Sequence, residues 1–206
     1  MRIFGYILII VCCLFIFSCG SDDAAIAMME PVVEKETTFG SFEVDESNDA
    51  TLSGSIDENT AADLTELLVQ YPNIDRIVME DVNGATSAEA AFSAARVVRS
   101  NMLDIHITDN STIRKEAVDF LLGGIKRSKG IDVKIGQSAW INAQGQEATD
   151  FDFGDDAHLP WINFYVEMEY QFQLATDYYN FYIYAADADD IYFFTDDQIN
   201  TFNLIN

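Results

Sequence analysis

Between residues 76 and 140 the apolar and polar positions fall into an alternating order of short runs and longer periodic segments. Arg76-Ile-Val-Met-Glu80 is an apolar run with a polar end and reads as a strand. Val82-Asn-Gly-Ala-Thr86 follows as a glycine turn, and Ser87–Arg99 as a helix. A second strand over Leu103–Thr108, a second helix over Ile113–Arg127 and a third strand, Val133-Lys-Ile-Gly136, run on toward Trp140. This β-turn-α-β-α-β order predicts right-handed parallel crossovers, with the loops gathered at one edge of the sheet. Phe39–Val44 also alternates, as a half-buried early strand does. The remainder of 19–48 mixes Asp, Glu, Ala and Thr without a lasting period, which predicts an acidic flexible linker. From 49 to 206 the chain is long enough for one hydrophobic core.

Several of these segments, in this order, resemble the Clp protease/crotonase superfamily, and most closely the Clp-class serine-protease-like bacterial lipoproteins and periplasmic proteins. Leu52-Ser-Gly-Ser-Ile56 with the helix Thr60–Gln70 is similar to the family's opening L-x-G-x-I … T element. Gly123-Gly-Ile-Lys-Arg127 is similar to its A-G-x-x-R helix end, and Ala157-His-Leu-Pro-Trp-Ile-Asn-Phe-Tyr165 to its A-H-x-x-Y helix. Phe194-Thr-Asp-Asp-Gln-Ile199 is similar to a terminal M-T-x-x-E-I element. The resemblance runs from about Thr51 to Leu204. It implies an α/β fold with a mostly parallel central sheet flanked by helices and a helical C-terminal region, Tyr178–Tyr184 included. It also implies homo-oligomers, because trimers and larger rings are usual in the superfamily. The expected core comprises Ile56, Leu64, Leu68, Ile77, Val78, Ala91, Ala95, Val98, Ile105, Ile107, Val118, Leu121 and Ile135.

The resemblance fails where the chemistry should be. The family's nucleophilic serine lies in an A-S-G/A-A-V segment at the start of the second helix, and here the segment is Arg114-Lys115-Glu116-Ala117-Val118. Its histidine lies in I-G-V-H-S-W, and here the segment is Ile135-Gly-Gln-Ser-Ala-Trp140. Lys115 therefore stands in place of the serine and Ser138 in place of the histidine. The glycine turn at Asn83 and Gly84, which the family uses to offer backbone amides to an oxyanion, is kept.

Three chemical readings follow. Serine hydrolysis needs a nucleophile, a base and an orienting acid, so replacing two of them together favours a catalytically inactive scaffold that binds a peptide, a glycan or a protein. On that reading Lys115 is an exposed helical residue paired with Asp119, four positions on. The alternative is a serine hydrolase with a rewired site. In one form Ser138 is activated by a desolvated Lys115, as Ser–Lys pairs are in signal peptide peptidases of this superfamily. In the other form Ser111 is the nucleophile, with His106 or His158 as base, although Asp109-Asn-Ser-Thr112 also suits a helix cap.

The N-terminus adds an address. Arg2 precedes an almost wholly apolar run from Ile3 to Phe17, then Ser18-Cys19-Gly20, the layout of a secretory leader over 1–18. Ile16-Phe-Ser-Cys19 resembles a bacterial lipobox, with Cys19 as the lipidated residue that anchors the chain to a membrane. Gly20-Ser-Asp-Asp23 resembles the acidic tag of surface-exported lipoproteins of the Bacteroidetes, which implies the outer membrane of the cell envelope. The competing reading of the run is a plain transmembrane anchor, for which it is short.

Composition narrows the ligands. The formal charge of −24 becomes −25 once Arg2 leaves with the leader, and such a surface repels nucleic acid. All three cysteines lie at or before position 19, so the domain has no disulfide, thiolate metal site or cysteine nucleophile. Two histidines do not make a zinc set. The aspartates at 150, 152, 155 and 156, and at 187, 189 and 190, lack the spacing of a calcium loop and read as solvated acidic turns. No cofactor is implied. Arg114, Lys115, Lys126, Arg127, Lys129 and Lys134 crowd one stretch, either to hold an anion or to balance nearby acids.

Overall fold

A computed structural model describes residues 35–45 and 49–206. The expected leader, Cys19 and most of the expected linker lie outside the described residues. The sheet begins inside the span read as linker: β1 (Thr38–Phe39) and β2 (Phe42–Val44) form a hairpin that pairs antiparallel with β3 (Ala50–Ile56). Phe39, Phe42 and Val44 point inward, so the hairpin extends the core.

From β3 onward the inner sheet is parallel. α1 (Thr60–Gln70) carries the chain from β3 to β4 (Arg76–Ala85); the parallel pair runs from Ala50 opposite Ile77 to Ser53 opposite Glu80, then shifts register at Gly54 and again before Ile56, which faces Ala85. α2 (Ala88–Ser100), started by the Ser87 hydroxyl on the Ala90 amide, leads to β5 (Asp104–Ile107), which pairs parallel with Arg76–Met79. β4 then bends at Asp81, whose φ is 49°, and its carboxylate takes the Thr112 amide at 2.8 Å. Beyond the bend, Val82 pairs with Ile113 of β6 (Thr112–Arg114) instead of β5. One long strand thus feeds two branches: β5 with β7 (Arg127–Lys129), and β6 with β8 (Lys134–Gln137) and the antiparallel β9 (Tyr192–Phe193).

Two expected elements change. The glycine turn over 82–86 is the outer end of β4, because the bend falls earlier, at Asp81. The helix expected over Ile113–Arg127 is a strand, a sharp turn at Lys115 and a short helix, α3 (Glu116–Leu121). Thr112 and Ile113, both β-branched, suit a strand flanked on both sides, and Gly123-Gly124 ends the helix early. A β-carbon on Gly123 would stand 2.6 Å from the Ala95 carbonyl oxygen, so glycine lets the chain turn against α2.

The helices and sheet share one core. Of the expected core positions, Leu68 and Val78 are only half-buried, and their neighbours Leu67 and Met79 take the fully buried places. The C-terminal region is helical: α4 (Leu159–Glu167), α5 (Phe172–Ala185) and α6 (Asp196–Thr201). Its aromatic residues build a second half of the core, with Tyr165, Tyr178, Tyr179 and Tyr182 almost without exposure. Pro160 opens α4, and Thr195 with Gln198 forms a reciprocal cap on α6.

Candidate functional site

The outer end of β4, the start of α3 and the end of β8 meet at a cleft of about 500 Å³. Lys115, Glu116, Ser138, Trp140 and Trp161 line it, together with Thr86 and Ala188. The two degenerate positions therefore face one space. Lys115 occupies the strand-to-helix corner with φ 51° and ψ −134°, a backbone shape that a side chain strains. Its amide donates to the Gly136 carbonyl at 2.8 Å, which ties the corner to β8 next to Ser138.

The amine of Lys115 is engaged elsewhere. It donates to the Ala188 carbonyl at 3.0 Å, on the loop between α5 and β9. Ser138 is buried and the Lys115 amine makes no hydrogen bond to it among the described residues. The ion pair expected between Lys115 and Asp119 is absent, because α3 starts only after Lys115 and turns Asp119 inward. Asp119 is 1 % exposed and accepts from the Tyr165 hydroxyl at 2.9 Å and the Gln137 amide at 3.3 Å. Tyr182 completes the chain by donating to Tyr165, whose own proton goes to the carboxylate; the two oxygens lie 3.0 Å apart. Burial pushes the Asp119 carboxyl well above the ordinary carboxylate range, partly countered by the Tyr165 hydrogen bond, with nearby Glu116 adding a further rise.

At the glycine turn the decisive residue is Glu116. Gly84 has φ +108°, and a β-carbon there would lie 3.1 Å from a Glu116 carboxylate oxygen and 3.3 Å from the Lys115 β-carbon. The same oxygen, Oε2, accepts the Ala85 amide at 3.3 Å. A carboxylate of the chain itself thus sits against the backbone of the glycine turn. The residue that does this stands where the resembling family carries glycine or alanine, neither of which has an atom to place there. Asn83, beside it, accepts from the Arg114 guanidinium at 2.8 Å. Sequence alone does not mark Glu116 as a site residue, although a carboxylate in place of a small residue was the available signal.

The fallback residues lie apart from the cleft. Ser111 is buried, with its hydroxyl 2.6 Å from that of Thr108, and precedes a strand instead of capping a helix. His106 faces Ser128 across β5 and β7, Nδ1 to Oγ at 2.8 Å. His158 is buried in a chain of fixed direction. Trp140 Nε1–H donates to the Tyr179 oxygen at 2.8 Å; because the Asp152 carbonyl can only accept from His158 Nε2, Nδ1 of the neutral ring accepts from the Tyr179 hydroxyl, 2.7 Å away. His158 Nε2–H then donates to the Asp152 carbonyl at 3.2 Å, and both ring nitrogens are used. Stacking of Trp140 on Trp161, centroids 4.7 Å apart, closes the wall over this chain.

The basic stretch is dispersed by the fold. Arg114 turns to Asn83, Lys115 to Ala188, Lys129 to Asp196, and Arg127 is buried under the C-terminal segment. The acidic turns cap local backbone: Asp150 takes the Glu147 amide, Asp155 that of Ala157 and Asp190 that of Ile191.

Solved structures share this arrangement of strands and helices. The 1510-N membrane-bound stomatin-specific protease, as a lysine-to-alanine mutant in complex with a substrate peptide, superposes with a TM-score of 0.52 at 15% identity, over 76% of this chain and 71% of that one. Its serine-to-alanine mutant gives 0.51 at 13% identity, over 76% and 75%. ClpP1 from Listeria monocytogenes, as an asparagine-to-aspartate mutant, gives 0.53 at 11% identity, over 78% and 90%. The fold is that of the Clp-type proteases. At these identities the likeness establishes architecture alone. No family model and no curated protein matches the sequence.

Proposed function

We propose that this Clp-like domain binds a ligand at the cell envelope without hydrolysing it, held to the outer membrane through an acylated Cys19. The observation that carries the reading is the Glu116 carboxylate on the Ala85 amide. A tetrahedral intermediate of acyl transfer develops negative charge where backbone amides should receive it. A resident carboxylate both occupies such an amide and repels that charge. The Lys115 amine is held by the Ala188 carbonyl, which weakens a Ser138–Lys115 dyad, and Ser111 does not line the cleft. The cleft itself is retained, with the Trp140–Trp161 face on one side and the Lys115–Glu116 pair on the other. These groups suit an extended peptide, a glycan or a loop of a protein partner, and do not suit nucleic acid, given the charge of the chain.

A fluorophosphonate probe tests the reading, because it labels activated serines irrespective of substrate. The expected result is no labelling of the full chain between about pH 6 and 9, the range in which a general base of tuned pKa operates. Labelling that Ser138→Ala or Ser111→Ala abolishes would replace the binding reading with a rewired hydrolase.

A further inference from the structure

A second polar cavity, of about 110 Å³, lies away from the cleft and shares none of its residues. It is framed by the end of α2, the α3–β7 connection, the α4–α5 turn and the C-terminal segment, and Arg99, Arg127, Glu169, Tyr170, Asn203 and Asn206 are among its lining residues. Two guanidinium groups meet here in a chain with 35 carboxylates and 11 basic residues. Against such an excess of acid, Arg127 makes no ion pair with a carboxylate among the described residues. Its side chain, in a residue 3 % exposed, spends Nε on the Leu204 carbonyl, one terminal nitrogen on that of Gly124 and the other on that of Asn203. Three neutral carbonyls fix the fork without neutralising it, and each terminal nitrogen keeps a second N–H.

Arg99 is the other wall. One of its terminal nitrogens donates to the carbonyls of Leu122 and Met168, and the other reaches Glu169 at 3.3 Å. Its Nε–H is buried with no partner. A buried donor left alone costs about 1–3 kcal/mol, so such groups in native proteins normally have a protein, water or ion partner. Glu169 does not fill that need: its side chain is 80% exposed and lies at the mouth. Tyr170 donates its own proton to the Phe202 and Asn203 carbonyls, so it offers the cavity no hydrogen. The interior therefore presents donors and positive charge, with the exposed Glu169 carboxylate paired to Arg99 beside it.

We propose that the Arg99–Arg127 cavity is a binding site for a small oxyanion, a phosphate- or carboxylate-sized group that joins the α2–α4 layer to the C-terminal segment. Carboxylate and phosphate oxygens both suit guanidinium N–H donors, and charge-assisted bonds of this kind are the strong ones. The volume admits more than one water molecule, so a group of this size fits. Burial lowers the Arg127 pKa, nearby Arg99 adds to that fall, and Tyr170 and Glu169 offset part of it.

Thermal unfolding of the full chain in detergent, with inorganic phosphate titrated against sodium fluoride of equal ionic strength, tests this. Phosphate should raise the midpoint saturably and fluoride should not. Arg99→Gln should weaken the apparent affinity about tenfold, the loss expected for one charge-assisted partner. Glu169→Gln removes the competing carboxylate from an exposed position and should strengthen it. An equal rise with both salts, or an Arg99→Gln protein that responds like the parent, overturns the proposal. If Arg99→Gln does not fold, Glu169→Gln decides alone, and an unchanged phosphate affinity in that variant counts against the site. A carboxylate source is distinguished by repeating the titration with acetate: saturation there with none in phosphate assigns the site to carboxylates.

Discussion

Lys115 holds a strained backbone conformation at the corner between β6 and α3. With φ 51° and ψ −134°, its β-carbon is a steric cost that a glycine would not carry. Lys115→Gly should therefore raise the unfolding free energy by about 1 kcal/mol, read as a higher denaturant midpoint with the slope unchanged. A loss of stability would show that the amine bond to Ala188 outweighs the strain. Asp119 sets a second prediction at this scale. Its folded-state pKa is raised, so the folded protein holds the proton where the unfolded chain has released it. Its contribution is greatest below the unfolded carboxylate value near ~3.9 and is lost progressively as pH rises from there to the folded pKa. Asp119→Asn keeps an acceptor for Tyr165 and Gln137 and removes the ionisation. It should match the parent near pH 4 and exceed it in midpoint at pH 7, in urea unfolding at both values. Equal midpoints at pH 7 would mean that the buried carboxyl carries no such penalty.

At the scale of elements, α1 and α2 were legible because each carries its full period within one uninterrupted segment, and Ser87 marks the start of α2. The segment after Ser111 was not. Its apolar positions run from Ile113 through Val118 to Leu122 at helical spacing, so strand and helix merge in the pattern. What separates them is tertiary: Ile113 finds Val82 on one side and Ile135 on the other, partners that no local window contains. The bend of β4 was hidden for the same reason, since Asp81 holds it by taking an amide 31 residues away. Likewise, the shared cleft of Lys115 and Ser138 followed from family likeness, but the reach of Glu116 back to Ala85 depends on the corner between strand and helix. The glycines after α3 offer a test of that packing. Gly123→Ala would press a methyl group to 2.6 Å from a backbone oxygen of α2, so α3 must shift. A destabilisation of roughly 1–3 kcal/mol is expected, measured by denaturant unfolding; a neutral result would place α2 and α3 farther apart than described.

On the scale of the whole molecule, a two-branched sheet and an aromatic helical half hold a cleft lined by Lys115, Glu116 and Ser138. The proposed address at the envelope is independent of that cleft. Cys19→Ser should release the chain from membranes or stall its processing, seen by fractionation and acyl labelling; a full-length, membrane-bound mutant alongside an unlabelled parent would favour a plain anchor. The absence of hydrolysis is the central claim, and restoring the missing groups tests it most directly. A triple variant, Lys115→Ser with Glu116→Ala and Ser138→His, returns the nucleophile and base positions and clears the Ala85 amide. Ester hydrolysis should be measured for it beside the parent, on the same activated ester. The account predicts turnover by the triple variant and none by the parent; serine-dependent turnover by the parent would contradict it.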